Sequence, residues 1–161
     1  MELSDFFADN PQAALAFSGG VDSSFLLYAG MRWGKRVKAY YVRTRVASNK
    51  SPWLSLTNVG DIYNVPISHG EGKFLASREL VAKLSANGQI ATQYVDLLGN
   101  PTMDAAFNPN GSVCAIEGIT SPDGRVFGKM GHSERIGKNL YRNVPGQYDI
   151  QLFENAVKYF K

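Results

Sequence analysis

Ala13-Ala14-Leu15-Ala16-Phe17-Ser18-Gly19-Gly20-Val21-Asp22-Ser23-Ser24-Phe25-Leu26-Leu27 opens the stretch, residues 13–44, around which the fold is read. Residues 13–17 form a continuous apolar run, the pattern of a strand covered on both faces in a parallel sheet. Ser18-Gly19-Gly20 breaks the run. Residues 21–31 are again largely apolar and carry Asp22, Ser23 and Ser24 near their start, where a helix leaves backbone N–H groups without partners. Gly34 closes that helix, and residues 36–46, with Val37, Ala39, Tyr41 and Val42, make a second β-rich run. This is a strand, loop, helix and strand. The loop bares backbone donors at the positive end of a helix dipole, and its glycines let the main chain approach an anion, so phosphate is the predicted guest.

Outward from this unit, residues 1–12 are a short polar lead with Leu3, Phe6 and Phe7 as an apolar stripe, ended by Pro11. Residues 48–55 read as a loop and residues 65–68 as a short strand, followed by a turn at Gly70-Glu71-Gly72. A helix over residues 77–86 is stopped by Asn87-Gly88, and residues 89–95 alternate as a half-buried strand does. Residues 100–112 are a loop, and Ser121-Pro122-Asp123-Gly124 turns a hairpin between residues 113–119 and 125–130. Residues 149–161 form an amphipathic helix with Leu152, Phe153, Ala156, Val157 and Phe160 on one side. The expected fold class is α/β. It is read as one domain, residues 1–161, with a central, mostly parallel sheet flanked by helices and an antiparallel hairpin near residues 113–130.

Composition bounds the function. A chain of 161 residues, 44% hydrophobic and 19% charged, has the size and balance of a globular domain with a real core. Its 17 Lys and Arg exceed its 14 Asp and Glu by three and are scattered, which excludes a nucleic-acid partner from the reading and suits a small anion or a nucleotide. One cysteine, Cys114, allows no internal disulfide; it is read as a small buried hydrophobe. No metal-ligand cluster, leader or long apolar segment is read, so a cytoplasmic setting without membrane contact is expected.

Ser18-Gly19-Gly20-Val21-Asp22-Ser23, followed by Ser24-Phe25-Leu26-Leu27, resembles the pyrophosphate loop of the ATP pyrophosphatase (PP-loop) superfamily, in particular the sulfurtransferase branch that helps mature lactate racemase. The resemblance implies ATP or pyrophosphate as the ligand of these six residues. A second resemblance runs from about residue 42 to residue 145. Its blocks are Arg45-Val46-Ala47-Ser48, Ser51-Pro52-Trp53-Leu54, Ser68-His69-Gly70-Glu71-Gly72-Lys73-Phe74, Asn87-Gly88-Gln89-Ile90-Ala91 and Tyr94-Val95-Asp96. They continue through Asn108-Pro109-Asn110-Gly111-Ser112, Ile116-Glu117-Gly118-Ile119 and Gly131-His132-Ser133-Glu134-Arg135. These are similar to the end of the glutamine amidotransferase domain of phosphoribosylformylglycinamidine synthase, a purine-pathway enzyme of class I amidotransferase, flavodoxin-like fold.

Class I amidotransferases hydrolyse glutamine with a Cys-His-Glu triad, and the resemblance implies His132 as base and Glu134 as its orienter, with Ser133 where proline is usual. The residues support that chemistry directly: a histidine two positions from a carboxylate can take a proton from a nucleophile and be held in one tautomer. The family's nucleophilic cysteine lies upstream of the matched blocks, where this chain has Phe17-Ser18-Gly19-Gly20. Cys114 matches no nucleophile position.

The chain therefore reads as a chimera joined near residue 42, with a pyrophosphate-loop segment over residues 1–42 and an amidotransferase segment over residues 43–161, neither parent complete. Three functions follow as expectations. The first is an incomplete amidotransferase-like domain that binds phosphate or nucleotide and lacks glutaminase activity. The second is a weak hydrolase in which Ser18 pairs with His132 and Glu134. The third is an engineered or recombined scaffold without catalysis. The missing first strands leave the run at residues 36–46 as an open edge, and the helix stripe at Phe153 and Phe160 is uncovered, so a homodimer is expected.

Pyrophosphate titrated into the chain is expected to shift the backbone amides of Gly19 and Gly20 with affinity near the millimolar range. A helix terminus contributes only ~0.3–1 kcal/mol to a charge, too little for tight binding. Silence at both glycines would remove the loop as an anion site.

Overall fold

The computed structural model describes residues 2–10, 12–15, 21–33, 36–39, 41–67, 72–138, 140–141 and 144–161; within residues 12–15, 21–24 and 36–39, and at residues 27 and 31, it describes the backbone alone. The chain opens with α1 (Leu3–Asp9), whose Phe7 is buried. β1 (Gln12–Leu15), α2 (Val21–Trp33) and β2 (Arg36–Ala39) follow, and β1 pairs with β2 in parallel, Gln12 opposite Arg36 and Leu15 opposite Ala39. That is the strand, helix and strand expected for this stretch, closed into a two-stranded sheet of its own.

The remaining strands are β3 (Tyr41–Val46), β4 (Ile62–Pro66), β5 (Ile90–Val95), β6 (Ile116–Thr120) and β7 (Phe127–Lys129). They form a five-stranded sheet in the order β4-β3-β5-β6-β7, and every neighbouring pair is antiparallel. The expected mostly parallel central sheet is thereby corrected. The connection from β4 to β5 does carry a helix, α3 (Arg78–Ala86), as a parallel crossover should. β4 and β5 run the same way, but β3 lies between them and is antiparallel to both. Helix–strand alternation reports the crossover and is blind to the strand inserted beneath it.

Two further expectations change with this topology. The run at residues 36–46 is not one strand, since β2 and β3 belong to different sheets. β3 is also hydrogen-bonded on both sides, so the open edge assigned to it does not exist; the edges of the five-stranded sheet are β4 and β7. The predicted hairpin is present, with β6 and β7 joined by a turn in which the Asp123 carboxylate accepts from the Ser121 hydroxyl at 2.5 Å and from the Arg125 N–H at 3.2 Å.

Alternation along β3 points Val42, Thr44 and Val46 inward, and Val42 and Val46 join Leu54, Tyr63, Val65, Tyr94 and Ile150 in the core. α3 is capped by Ser77, whose hydroxyl accepts the Leu80 N–H at 3.2 Å, and it ends at Asn87-Gly88, with Gly88 at φ 67° in the left-handed region that stops helices. Cys114 is exposed, contrary to its reading as a buried hydrophobe: it lies in the 3₁₀ turn Val113–Ala115 before β6, where its own φ of 52° is left-handed.

α4 (Leu152–Phe160) is the expected C-terminal helix, and Phe153 and Phe160 on its stripe are uncovered, as read from the sequence. Its fully buried residue is Asn155. Asn155 Oδ1 accepts from the Ser55 hydroxyl at 3.1 Å and from the Leu56 N–H, while its Nδ2 donates to the Gln151 carbonyl at 2.7 Å. Of the stripe, Leu152 packs against the core, while Phe153, Val157 and Phe160 are left 65%, 52% and 70% exposed. Among the described residues, no helix is long and apolar enough to cross a membrane.

Asn155→Ala removes the acceptor shared by the Ser55 hydroxyl and the part-buried Leu56 N–H and empties a fully buried site. It is expected to cost about 1–3 kcal/mol, roughly 2–4 °C of melting temperature for each kcal/mol in a chain of this size. Phe153→Ser should stay within about 0.5 kcal/mol. Thermal unfolding of the two variants side by side checks the docking mode, and the reverse ranking would overturn it.

Candidate active site

β7 ends at Lys129, and the chain turns across the sheet through Met130 and Gly131 into His132-Ser133-Glu134-Arg135. Glycine is required at residue 131 by space: a Cβ there would collide with Val65 Cγ1 on β4 and lie 3.0 Å from Glu117 Oε1 on β6. That close approach lets the His132 N–H donate to the Pro66 carbonyl at 3.1 Å, so the histidine is set where β4 and β7 both end. Sheet ends of this kind are where loops can carry chemistry on a rigid base.

His132 Nδ1 lies 2.8 Å from Glu134 Oε1. The Glu134 carboxyl is held below its ordinary range: partial burial opposes ionisation, but its own backbone N–H, the hydrogen bond and charge of His132, and the charge of Arg135, whose Nε is 3.6 Å away, outweigh it. An ionised carboxylate only accepts, so Nδ1 carries the hydrogen in this pair and Nε2 is the nitrogen free to take a proton. The imidazole is 32% exposed and lines a cleft of about 380 Å³ whose other walls include Trp53, Phe127, Met130, Leu152 and Phe153. Trp53 is anchored by its indole N–H, which donates to the Arg125 carbonyl at 2.7 Å. The arrangement is an apolar cleft with a partly exposed, oriented imidazole on its wall.

The other predicted site residues are distributed differently. Ser18, Gly19 and Gly20 lie outside the described residues, as does His69. Val21, Asp22 and Ser23 form the first turn of α2. The pairing of Ser18 with His132 and Glu134 therefore rests on sequence alone, whereas His132 and Glu134 stand together in the structure.

Sequence reasoning assigned no role to the charges beneath the turn. Glu117, on β6, is buried, and its carboxylate accepts the Gly131 N–H at 2.6 Å, the Thr92 hydroxyl at 2.5 Å and an ion pair from Lys129 Nζ at 3.1 Å. The available signal was an acidic residue inside the apolar run Ile116-Glu117-Gly118-Ile119, since a charge in a buried strand must be paired.

The profile of the CobB/CobQ-like glutamine amidotransferase domain matches residues 34–160. The phosphoribosylformylglycinamidine synthase subunit PurQ of Thermomicrobium roseum is 43% identical over 95 residues, 59% of this chain and 39% of the relative. The PurQ of Chlorobaculum tepidum is 36% identical over 122 residues, 76% of this chain and 50% of the relative. The chain thus spans half or less of the length of these curated relatives. Among solved structures, one chain of the PurLQS structure from Thermotoga maritima superposes with a TM-score of 0.55 at 24% identity, over 76% of this chain and 47% of that one, a likeness of fold. The family match begins at residue 34, so residues 18–23 lie outside it.

A carboxyl whose value is depressed by folding adds stability above its ordinary range and loses it as pH falls through the depressed value. The difference in unfolding free energy between the chain and its Glu134→Gln variant should therefore be present near neutral pH and vanish in acid. For so exposed a pair it should be at most about 0.2–1 kcal/mol. Denaturant titrations at several pH values check this, and a difference that does not change with pH would contradict the pairing.

Proposed function

The chain belongs to the CobB/CobQ-like glutamine amidotransferase domain family, and we propose that it forms the base-bearing part of a glutamine amidotransferase of the phosphoribosylformylglycinamidine synthase type, serving purine biosynthesis in the cytoplasm. The observation that carries this reading is His132 Nδ1 at 2.8 Å from Glu134 Oε1 on the wall of the cleft. In glutamine hydrolysis a thiolate attacks the side-chain amide carbon, the C–N bond breaks as the leaving nitrogen takes a proton, and water then releases glutamate. His132 Nε2 carries the proton from nucleophile to leaving ammonia. Glu134 holds the imidazole in the tautomer that leaves Nε2 free and stabilises the imidazolium that forms.

The nucleophile in this reading is a cysteine from the part of the relatives' length that the chain does not match. Cys114, exposed on the turn before β6, is not among the residues lining the cleft. The chain alone is accordingly assigned no glutaminase rate of the family's kind. The names of the relatives and the PurLQS neighbour support an assembly with a synthase subunit of the PurL type. Two further expectations stand as proposals. Weak binding of ATP or pyrophosphate at Ser18, Gly19, Gly20, Val21, Asp22 and Ser23 rests on their sequence, and a homodimer rests on the exposed stripe of α4 once the open edge is removed.

Glutamate and ammonia release measured on the chain alone should be near background. Release should rise when the cysteine-bearing first half of a PurQ relative is supplied as a separate polypeptide, and fall by about 10²-fold or more in His132→Ala, the usual scale of general acid–base catalysis. Complemented activity that survives His132→Ala would overturn the reading. Activity of the chain alone that is lost in Ser18→Ala would favour the serine hydrolase instead.

A further inference from the structure

The turn that presents His132 is fastened at three consecutive residues. Gly131 is held at both ends of its backbone, its N–H donating to Glu117 Oε1 at 2.6 Å and its carbonyl accepting from Lys129 Nζ at 2.8 Å. The His132 N–H donates to the Pro66 carbonyl, and the Ser133 hydroxyl accepts from Lys129 Nζ at 2.9 Å. Lys129 Nζ also lies 3.1 Å from Glu117, whose side chain is fully buried while that of Lys129 is 10% exposed. Thr92, at the centre of the sheet, donates to the second carboxylate oxygen. The ammonium thus has three acceptors and the carboxylate three donors, which is the condition under which a buried pair is tolerable.

Burying two charges on adjacent strands stabilises a fold little compared with apolar residues of the same volume, so the pair calls for another role. Every one of its remaining bonds goes to the loop that carries the imidazole, apart from the one to Thr92. A proline at residue 133 would offer no hydroxyl to Lys129, so the serine in this block and the lysine below it function together. We propose that Glu117 and Lys129, acting through Gly131 and Ser133, are positioning residues that hold His132 over Glu134 in the Nδ1–H tautomer. The inference rests on the reading of His132 and Glu134 as base and orienter, and adds a buried ionic clamp as the device that aligns them.

The test uses the full chain labelled with ¹⁵N-histidine. Its two histidines, His69 and His132, are separated by a His69→Gln control, and ring nitrogen shifts report the tautomer of neutral His132. Ser133→Ala, which leaves the buried pair intact, is expected to reduce the Nδ1–H share, and Ser133→Thr to restore it. The charge-neutral double variant Glu117→Gln/Lys129→Met should reduce it further while circular dichroism stays native. A general loss of stability does not predict a tautomer change restored by one hydroxyl. If Glu134→Gln shifts the tautomer while Ser133→Ala and the folded double variant leave it unchanged, the clamp is overturned and the base–orienter pairing stands. If Glu134→Gln also leaves it unchanged, both fall.

Discussion

β3 lies between two strands that run opposite to it, and that insertion governs the rest of the molecule. With Tyr41–Val46 paired on both sides, one face of the strand must be dry, and Val42, Thr44 and Val46 supply it. β4 is then displaced to one edge and β6 with β7 to the other. α3 can still cross from β4 to β5, because the two remain codirectional across the intervening strand. The separate parallel pair β1 and β2 shows that the chain forms both arrangements, each where its connection permits.

The site is a consequence of this strand order. A strand of three residues, β7, would be a weak support alone, but its continuation passes over β6 and reaches Pro66 on β4, so three strands fix the position of one histidine. Glycine at residue 131 makes the passage possible, and the buried carboxylate of Glu117 makes it directional by accepting the N–H that the passage brings inward. The imidazole is then free to make its one described partner, Glu134, and to face the cleft. Ordering a partly exposed side chain in this way costs a little conformational entropy.

α4 shows the same separation between local pattern and global use. Its apolar stripe is real as a pattern, yet beside Leu152 the helix is held by an asparagine that accepts the Ser55 hydroxyl and the Leu56 N–H just after the 3₁₀ turn at Pro52–Leu54. A buried amide with directional partners fixes the orientation of a short helix more sharply than a sliding apolar contact does. Phe153 and Leu152 instead become part of the cleft wall beside His132.

The sequence by itself determined most of the elements and the neighbourhood of His132 and Glu134. Apolar runs, the Ser77 cap, the Asn87-Gly88 stop and the Ser121-Pro122-Asp123-Gly124 turn are short-range features, and each is legible because its cause lies within a few residues. His132 and Glu134 belong to the same class, two positions apart in one loop. Strand order was decided by the tertiary structure, because an inserted strand leaves no mark on the local period that predicts it. The burial of Asn155 and the ionic base formed by Glu117 and Lys129 were decided there too. In each case the partner is distant in sequence, 12 residues for Lys129 and 99–100 for Leu56 and Ser55, and polar groups find such partners only once the sheet has closed.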